Sequence, residues 1–326
     1  MRAWFALCAI VGVLSGGALV AWQGFASVGS TLELAGLPCL AVICLYHVVP
    51  FGCCAEAWRI LLRNPKPGIA GFIWFRWVRD AGGDILGIIP AGGEMAGIHT
   101  MIAHGVEPAL AAASTVVDIT IEMSAQVAFT ILGATLLIVR HPGNPMVDWM
   151  LGGIWVVLVF AGGFFVIQRL GVFRLLERLA DHLIVNQGWS RLASLRGIHD
   201  HIEAIYADRP RIGRALMTHF GAWIVGCGEA SIILYFMGAP LGIASIVTLE
   251  SLAYAIRSAA FFVPAAAGVQ EGGYILIGAT LGLGPELALA LSLMKRAREL
   301  TLGITGLLAW QWFEGRFLLR ARRARR

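Results

Sequence analysis

The chain has 326 residues, of which 58% are hydrophobic and 14% charged, with a mean hydropathy of +0.76. Soluble domains carry about 25% charged residues, so this composition excludes a soluble domain and indicates a polytopic membrane protein. The net charge of +5 does not call for nucleic acid, because the basic residues collect in segments beside apolar runs and in the tail 316–326, where they mark the cytoplasmic side.

A membrane-spanning helix needs about 20 apolar residues. Taken in chain order, full spans are expected at 3–21, 32–54, 109–139, 149–167, 214–237 and 286–315. The first run resembles a signal peptide, but Ala18-Leu19-Val20-Ala21-Trp22 is a poor cleavage site, so a retained span is expected. The loop 22–31 holds no Arg or Lys and is placed outside. The segment 55–70 carries Arg59, Arg63 and Lys66 and is placed inside. Arg140 alone marks 140–148, which is placed outside. The loop 168–213 carries seven Arg, from Arg169 to Arg211, and is placed inside with the tail. Both basic segments would face anionic lipid headgroups.

Two apolar stretches, 71–104 and 243–282, are interrupted. The first runs from Arg79-Asp80-Ala81-Gly82-Gly83 to Ile89-Pro90-Ala91-Gly92-Gly93-Glu94. The second runs from Arg257-Ser258-Ala259-Ala260 to Val263-Pro264-Ala265-Ala266-Ala267-Gly268-Val269-Gln270-Glu271. Pro and Gly clusters break helices. Broken backbone is tolerated at membrane depth only inside protein or beside a watery cavity. Parity makes each stretch return to the face it left, so both are expected as re-entrant hairpins from opposite faces. A plain eight-span bundle remains the alternative. The predicted fold is an all-α polytopic helix bundle with an inverted repeat of span, span, hairpin and span. Its halves are 1–140 and 141–326, and both termini lie inside. Paired interruptions in two halves point to a midplane binding site.

Charges within spans are functional candidates. Asp118 and Glu122 share one face of the span 109–139, and the span 286–315 carries Lys295, Arg296, Arg298 and Glu299. Arg79 and Arg257 precede the hairpin tips, whereas Glu94 and Glu271 follow them. Glu250, Tyr254 and Arg257 fall on one helix face. Candidate substrate-binding residues are therefore Arg79, Pro90, Glu94, Asp118, Glu122, Arg257, Pro264, Gly268, Glu271, Lys295, Arg296 and Arg298. Arg forks match phosphate oxygens, and carboxylates suit an amine or a coupling proton. Internal pairing that holds the halves together is the competing reading.

Weaker signals read as structure. Six Cys lie mostly in apolar runs and behave as small hydrophobes; adjacent Cys53 and Cys54 at a span end could carry an acyl group. His199, Asp200, His201 and Glu203 sit on an amphipathic helix over 189–205, read as interfacial with a solvated polar face. No metal or cofactor is expected. With no Walker A, Rossmann or GxSxG motif, no catalytic residue is assigned and transport runs downhill or on a gradient.

The run Pro264-Ala265-Ala266-Ala267-Gly268-Val269-Gln270-Glu271-Gly272 resembles the Pro-Gly-Gly-x-Gly-x-x-Glu motif of the flippase-like membrane domain of lysylphosphatidylglycerol synthases and their stand-alone relatives. Arg79 and Pro90-Ala91-Gly92-Gly93-Glu94 resemble that family's first motif. The spelling of the first hairpin is most similar to the hopanoid-biosynthesis-associated branch. The departure is alanine at 265–267, where the family uses glycine. The resemblance covers nearly the whole chain and implies transfer of an amphipathic lipid between leaflets of the bacterial inner membrane. The lipid would be hopanoid-related or an anionic or aminoacylated phospholipid. The alternative is a membrane-embedded enzyme or accessory subunit of hopanoid or polyprenyl lipid synthesis. Assembly as a homo-oligomer is left open.

Overall fold

A computed structural model describes residues 25–63, 67–85, 91–142, 163, 197–260, 263 and 266–324. The expected spans 3–21 and 149–167, and most of the loop 168–213, lie outside the described residues. Among the described residues the chain is helical, with no strand. We number the helices α1 (Phe25–Leu61), α2 (Ile69–Ile85), α3 (Gly92–Ala103), α4 (Pro108–Arg140), α5 (Ile198–Ala207), α6 (Arg209–Phe236), α7 (Ile243–Ala259), α8 (Val269–Thr280) and α9 (Pro285–Ala324).

Among the described residues, three stretches are long and apolar enough to cross a membrane: Ala35–Leu61, Pro108–Arg140 and Arg209–Phe236. They overlap the spans expected at 32–54, 109–139 and 214–237. The loop expected at 22–31 is largely absent, because α1 already begins at Phe25. A break at Gly36 (φ 64) separates its first turns from the long apolar part. The span expected at 286–315 lies within the 40-residue α9, whose apolar run is interrupted by Lys295, Arg296, Arg298 and Glu299.

Both interrupted stretches form helical pairs with arms of equal length, 17 and 12 residues in each. At about 1.5 Å per residue a 12-residue arm rises about 18 Å, well short of a ~30 Å hydrocarbon core. In the first pair the arms touch backbone to backbone. A Cβ on Gly93 would lie 2.3 Å from the Arg79 carbonyl oxygen and 2.7 Å from the Gly83 nitrogen. The second pair is spaced by a side chain, since a Cβ on Gly273 would meet Ile256 at 3.3 Å. Each second arm starts beside a left-handed alanine: Ala91 (φ 59) caps α3, and Ala266 (φ 46) precedes Gly268, the cap of α8. Glu271 reaches back to accept the Gly268 N–H at 2.8 Å, which closes that helix start.

The pairs pack at opposite ends of the long helices. One core gathers Trp58, Phe72, Phe75, Met101, Val117 and Ile202 around α2 and α3. The other gathers Phe129, Ile233, Leu249, Tyr274, Ile277 and Leu291 around α7 and α8. The polarity of the bundle is inverted relative to a soluble one. Leu45, Val139, Ile243 and Leu308 point outward, whereas Asp118, Glu250 and Lys295 are buried. This suits an apolar solvent outside and polar function inside. His199, expected on a solvated face of α5, is instead buried; it sits on the inward stripe with Ile198, Ile202 and Ile205 and bonds Glu203 at 3.1 Å.

Candidate functional site

Between the two hairpins lies a cavity of about 820 Å³. The first hairpin contributes Arg76, Arg79, Asp80, Asp84 and Glu94, and the second contributes Tyr254, Arg257, Ser258 and Ala266. His47 on α1, Gln126 on α4, Trp223 on α6 and Arg298 and Glu299 on α9 complete its polar and aromatic wall. Trp77 pins the first hairpin to α9 by donating to the Leu302 carbonyl at 3.0 Å. Gln126 bridges to the second hairpin through Ser258 at 2.5 Å. Trp223 stacks on Phe129 and meets Tyr254 edge-on at 4.8 Å between ring centres.

Around this cavity the buried charges fall into cages. In the first, Arg76 donates to both oxygens of Glu122 at 2.6 and 2.9 Å and to Asp80 at 2.8 Å. Arg79 donates to Asp118 at 2.6 Å and Glu122 at 2.7 Å, with its guanidinium 5.2 Å from the Trp58 ring centre. Asp118 is also held by His219 at 3.0 Å. The arginines thus sit on the hairpin with Asp80 beside them, and Asp118 and Glu122 sit on the following long helix.

The second cage reverses the signs in two of its three pairs. Glu250 on the hairpin pairs with Lys295 on α9 and accepts from Tyr274 at 2.8 Å. Glu271 pairs with Arg296. The ammonium of Lys295 also faces the Tyr254 ring at 5.1 Å. Arg257 donates to Glu299 at 2.5 Å and to Gln270 at 2.9 Å.

A third group joins α1, α6 and α9. His47 Nδ1 meets Glu229, and the Arg298 Nη1 donor lies 3.2 Å from His47 Nε2. Nε2 therefore accepts, and Nδ1–H is the donor to Glu229. Arg298 is nearly fully buried; its Nε makes no hydrogen bond but stands 3.4 Å from Glu229, and its Nη2 stands 3.7 Å from Glu299. A guanidinium on a cavity wall with carboxylate partners at such distances can turn donors to an anion.

Of the residues the sequence singled out, Arg79, Glu94, Arg257 and Arg298 line the cavity. Asp118, Glu122, Gly268, Glu271, Lys295 and Arg296 stand behind it in the cages. Pro90 and Pro264 lie outside the described residues. Sequence reasoning passed over His47 and Glu229, although each is an ionisable residue within an apolar span and that alone marks a candidate. Trp223 and Gln126 carried no such mark, because an aromatic or an amide in a span reads as packing.

The sequence matches the family described as lysylphosphatidylglycerol synthase TM region over residues 8–306, and the chain belongs to that family. No curated protein and no solved structure matches it.

Proposed function

We propose that this family member is a lipid transporter that moves an amphipathic lipid between the leaflets of the bacterial inner membrane without nucleotide hydrolysis. The cavity between the two short hairpins carries this reading. Its volume of about 820 Å³ falls in the 300–1,000 Å³ range typical of ligand sites, which suits a lipid headgroup. Arg257 and Arg298 offer donors to a headgroup phosphate, while Asp84 and Glu94 suit an amine. The outward apolar face leaves the acyl chains in the bilayer.

On this reading the halves 1–140 and 141–326 form an inverted repeat with both termini inside, and the hairpins alternate access to the cavity. The equal arm lengths and the packing of the hairpins at opposite ends of the long helices support the repeat. A hopanoid-related lipid is the substrate suggested by the spelling of the first hairpin; an anionic or aminoacylated phospholipid is the other.

The test is leaflet translocation in proteoliposomes, with fluorescent phosphatidylglycerol, lysylphosphatidylglycerol, phosphatidylethanolamine and a hopanoid-linked lipid. At least one should cross faster than in empty vesicles. Arg257→Gln and Arg298→Gln should each slow it tenfold or more while the melting temperature stays within a few degrees of the parent. If no lipid moves, and deletion in the cell halts a lipid synthesis step with accumulation of its precursor, the chain serves synthesis instead.

A further inference from the structure

Behind the first hairpin, three side chains from three helices converge. Cys54 on α1, Glu122 on α4 and His219 on α6 bring a sulfur, a carboxylate oxygen and an imidazole nitrogen within 4.8 Å of one another. His219 is fully buried. Its Nε2 bonds Asp118 at 3.0 Å, so a neutral ring carries its proton there and leaves the Nδ1 lone pair bare. No hydrogen bond reaches Nδ1. A buried nitrogen left without a partner costs about 1–3 kcal/mol, and such an atom in a native fold asks for a missing partner.

We propose that Cys54, Glu122 and His219 form a binding site for a thiophilic divalent cation of the Zn²⁺ type. The donor set of thiolate, imidazole and carboxylate is the one Zn²⁺ takes, and three protein ligands leave the fourth position to water. A carboxylate on the far nitrogen of a metal-bound histidine is the usual support of such a ligand, and Asp118 supplies it. Glu122 still has room for a metal. Its Oε2 accepts from both arginines, whereas Oε1 accepts only from Arg76 and keeps a second lone pair.

Arg76 and Arg79 stand against Asp80, Asp118 and Glu122, two guanidiniums against three carboxylates. Either a protonated His219 or Zn²⁺ with the Cys54 thiolate would balance that group, and metal binding would release the Cys54 proton, and any second proton on His219, to water. Cys54 and Glu122 are both partly exposed, which gives an ion a way in. Because each ligand comes from a different helix, the ion would clamp α1, α4 and α6 together.

The test uses purified full-length protein in detergent, loaded with Zn²⁺ or Co²⁺ and desalted. One metal per chain should remain by elemental analysis, and Co²⁺ should show a thiolate-to-metal absorption band. That band should vanish in Cys54→Ser and persist in Cys53→Ser, whose thiol lies next door in sequence but outside the group. Zn²⁺ should raise the melting temperature of the parent but not of Cys54→Ser. The proposal is overturned if no metal is retained, or if the band survives Cys54→Ser. In either case a protonated His219 would be the balancing charge.

Discussion

The two hairpins share a length pattern and differ in everything that holds them. The first sets Arg76 and Arg79 of the hairpin against Asp118 and Glu122 of α4. The second sets Glu250 and Glu271 of the hairpin against Lys295 and Arg296 of α9, with Arg257–Glu299 running the other way. The first also presses its arms together through Gly82 and Gly93, whereas the second spaces them with Ile256. Each cage neutralises most of its own charge. The cavity wall carries both signs: Arg76, Arg79, Asp80, Asp84 and Glu94 from the first hairpin, Arg257 from the second, and Arg298 and Glu299 from α9. The interior is thus zwitterionic, and its wall includes members of both cages.

The cages should also differ in redundancy. Among the described residues Glu250 has Lys295 as its single charged partner, with Tyr274 as a neutral one. Lys295→Met should therefore strand a buried carboxylate and remove about 3–5 kcal/mol, read as a large drop in melting temperature or in folded yield. The double variant Lys295→Met with Glu250→Gln should recover most of it, because both charges are then gone. A single variant that melts like the parent would show that the second cage does not carry this half.

The first cage is cross-braced, so its breakage should be milder. In Arg79→Met, Asp118 keeps His219 and Glu122 keeps Arg76. A loss of about 1.5–3 kcal/mol, that of one charged hydrogen-bonding group, is expected in the same melting experiment. If Arg79→Met costs as much as Lys295→Met, the bracing has no energetic meaning and the two cages are alike.

The smallest contrast concerns the arms themselves. Gly93→Ala drives a methyl into backbone atoms, which cannot yield as a side-chain end can, and should cost about 1–3 kcal/mol by overpacking. Gly273→Ala meets the Ile256 side chain at 3.3 Å or more, which a few tenths of an ångström of movement relieves, and should cost less than Gly93→Ala, about 0.5 kcal/mol. Equal melting of the two variants would remove the distinction between a backbone-packed and a side-chain-packed hairpin.

Much of this fold is visible in the sequence, because apolar runs and helix breakers act locally. The spans at 32–54, 109–139 and 214–237 and both interruptions reappear as helices and helical pairs. The four-residue spacing of Asp118 and Glu122 already places them on one face. Partner choice is another matter. His47 meets Glu229 across 182 positions, and Arg298 meets His47 across 251; no local pattern encodes such pairs. The same holds for which charges reach the cavity wall. Arg296 and Arg298 lie two apart on one helix, so they point apart, one to Glu271 and the other to the cavity. That direction depends on how α9 is rotated in the bundle, which hydropathy leaves undetermined.

Ala91 and Ala266 give the hairpin tips a kinetic meaning. A left-handed alanine costs about 1–2 kcal/mol relative to ordinary backbone, and each tip holds one where glycine would sit at ease. The chain there is loaded like a bent spring. Any rearrangement that lets one alanine return to negative φ recovers that energy, and about 1.4 kcal/mol is a tenfold change in population. Two such tips at opposite ends of the bundle would each favour their own release. If the hairpins alternate as proposed, a glycine in place of either alanine should shift the populations of the two hairpin positions.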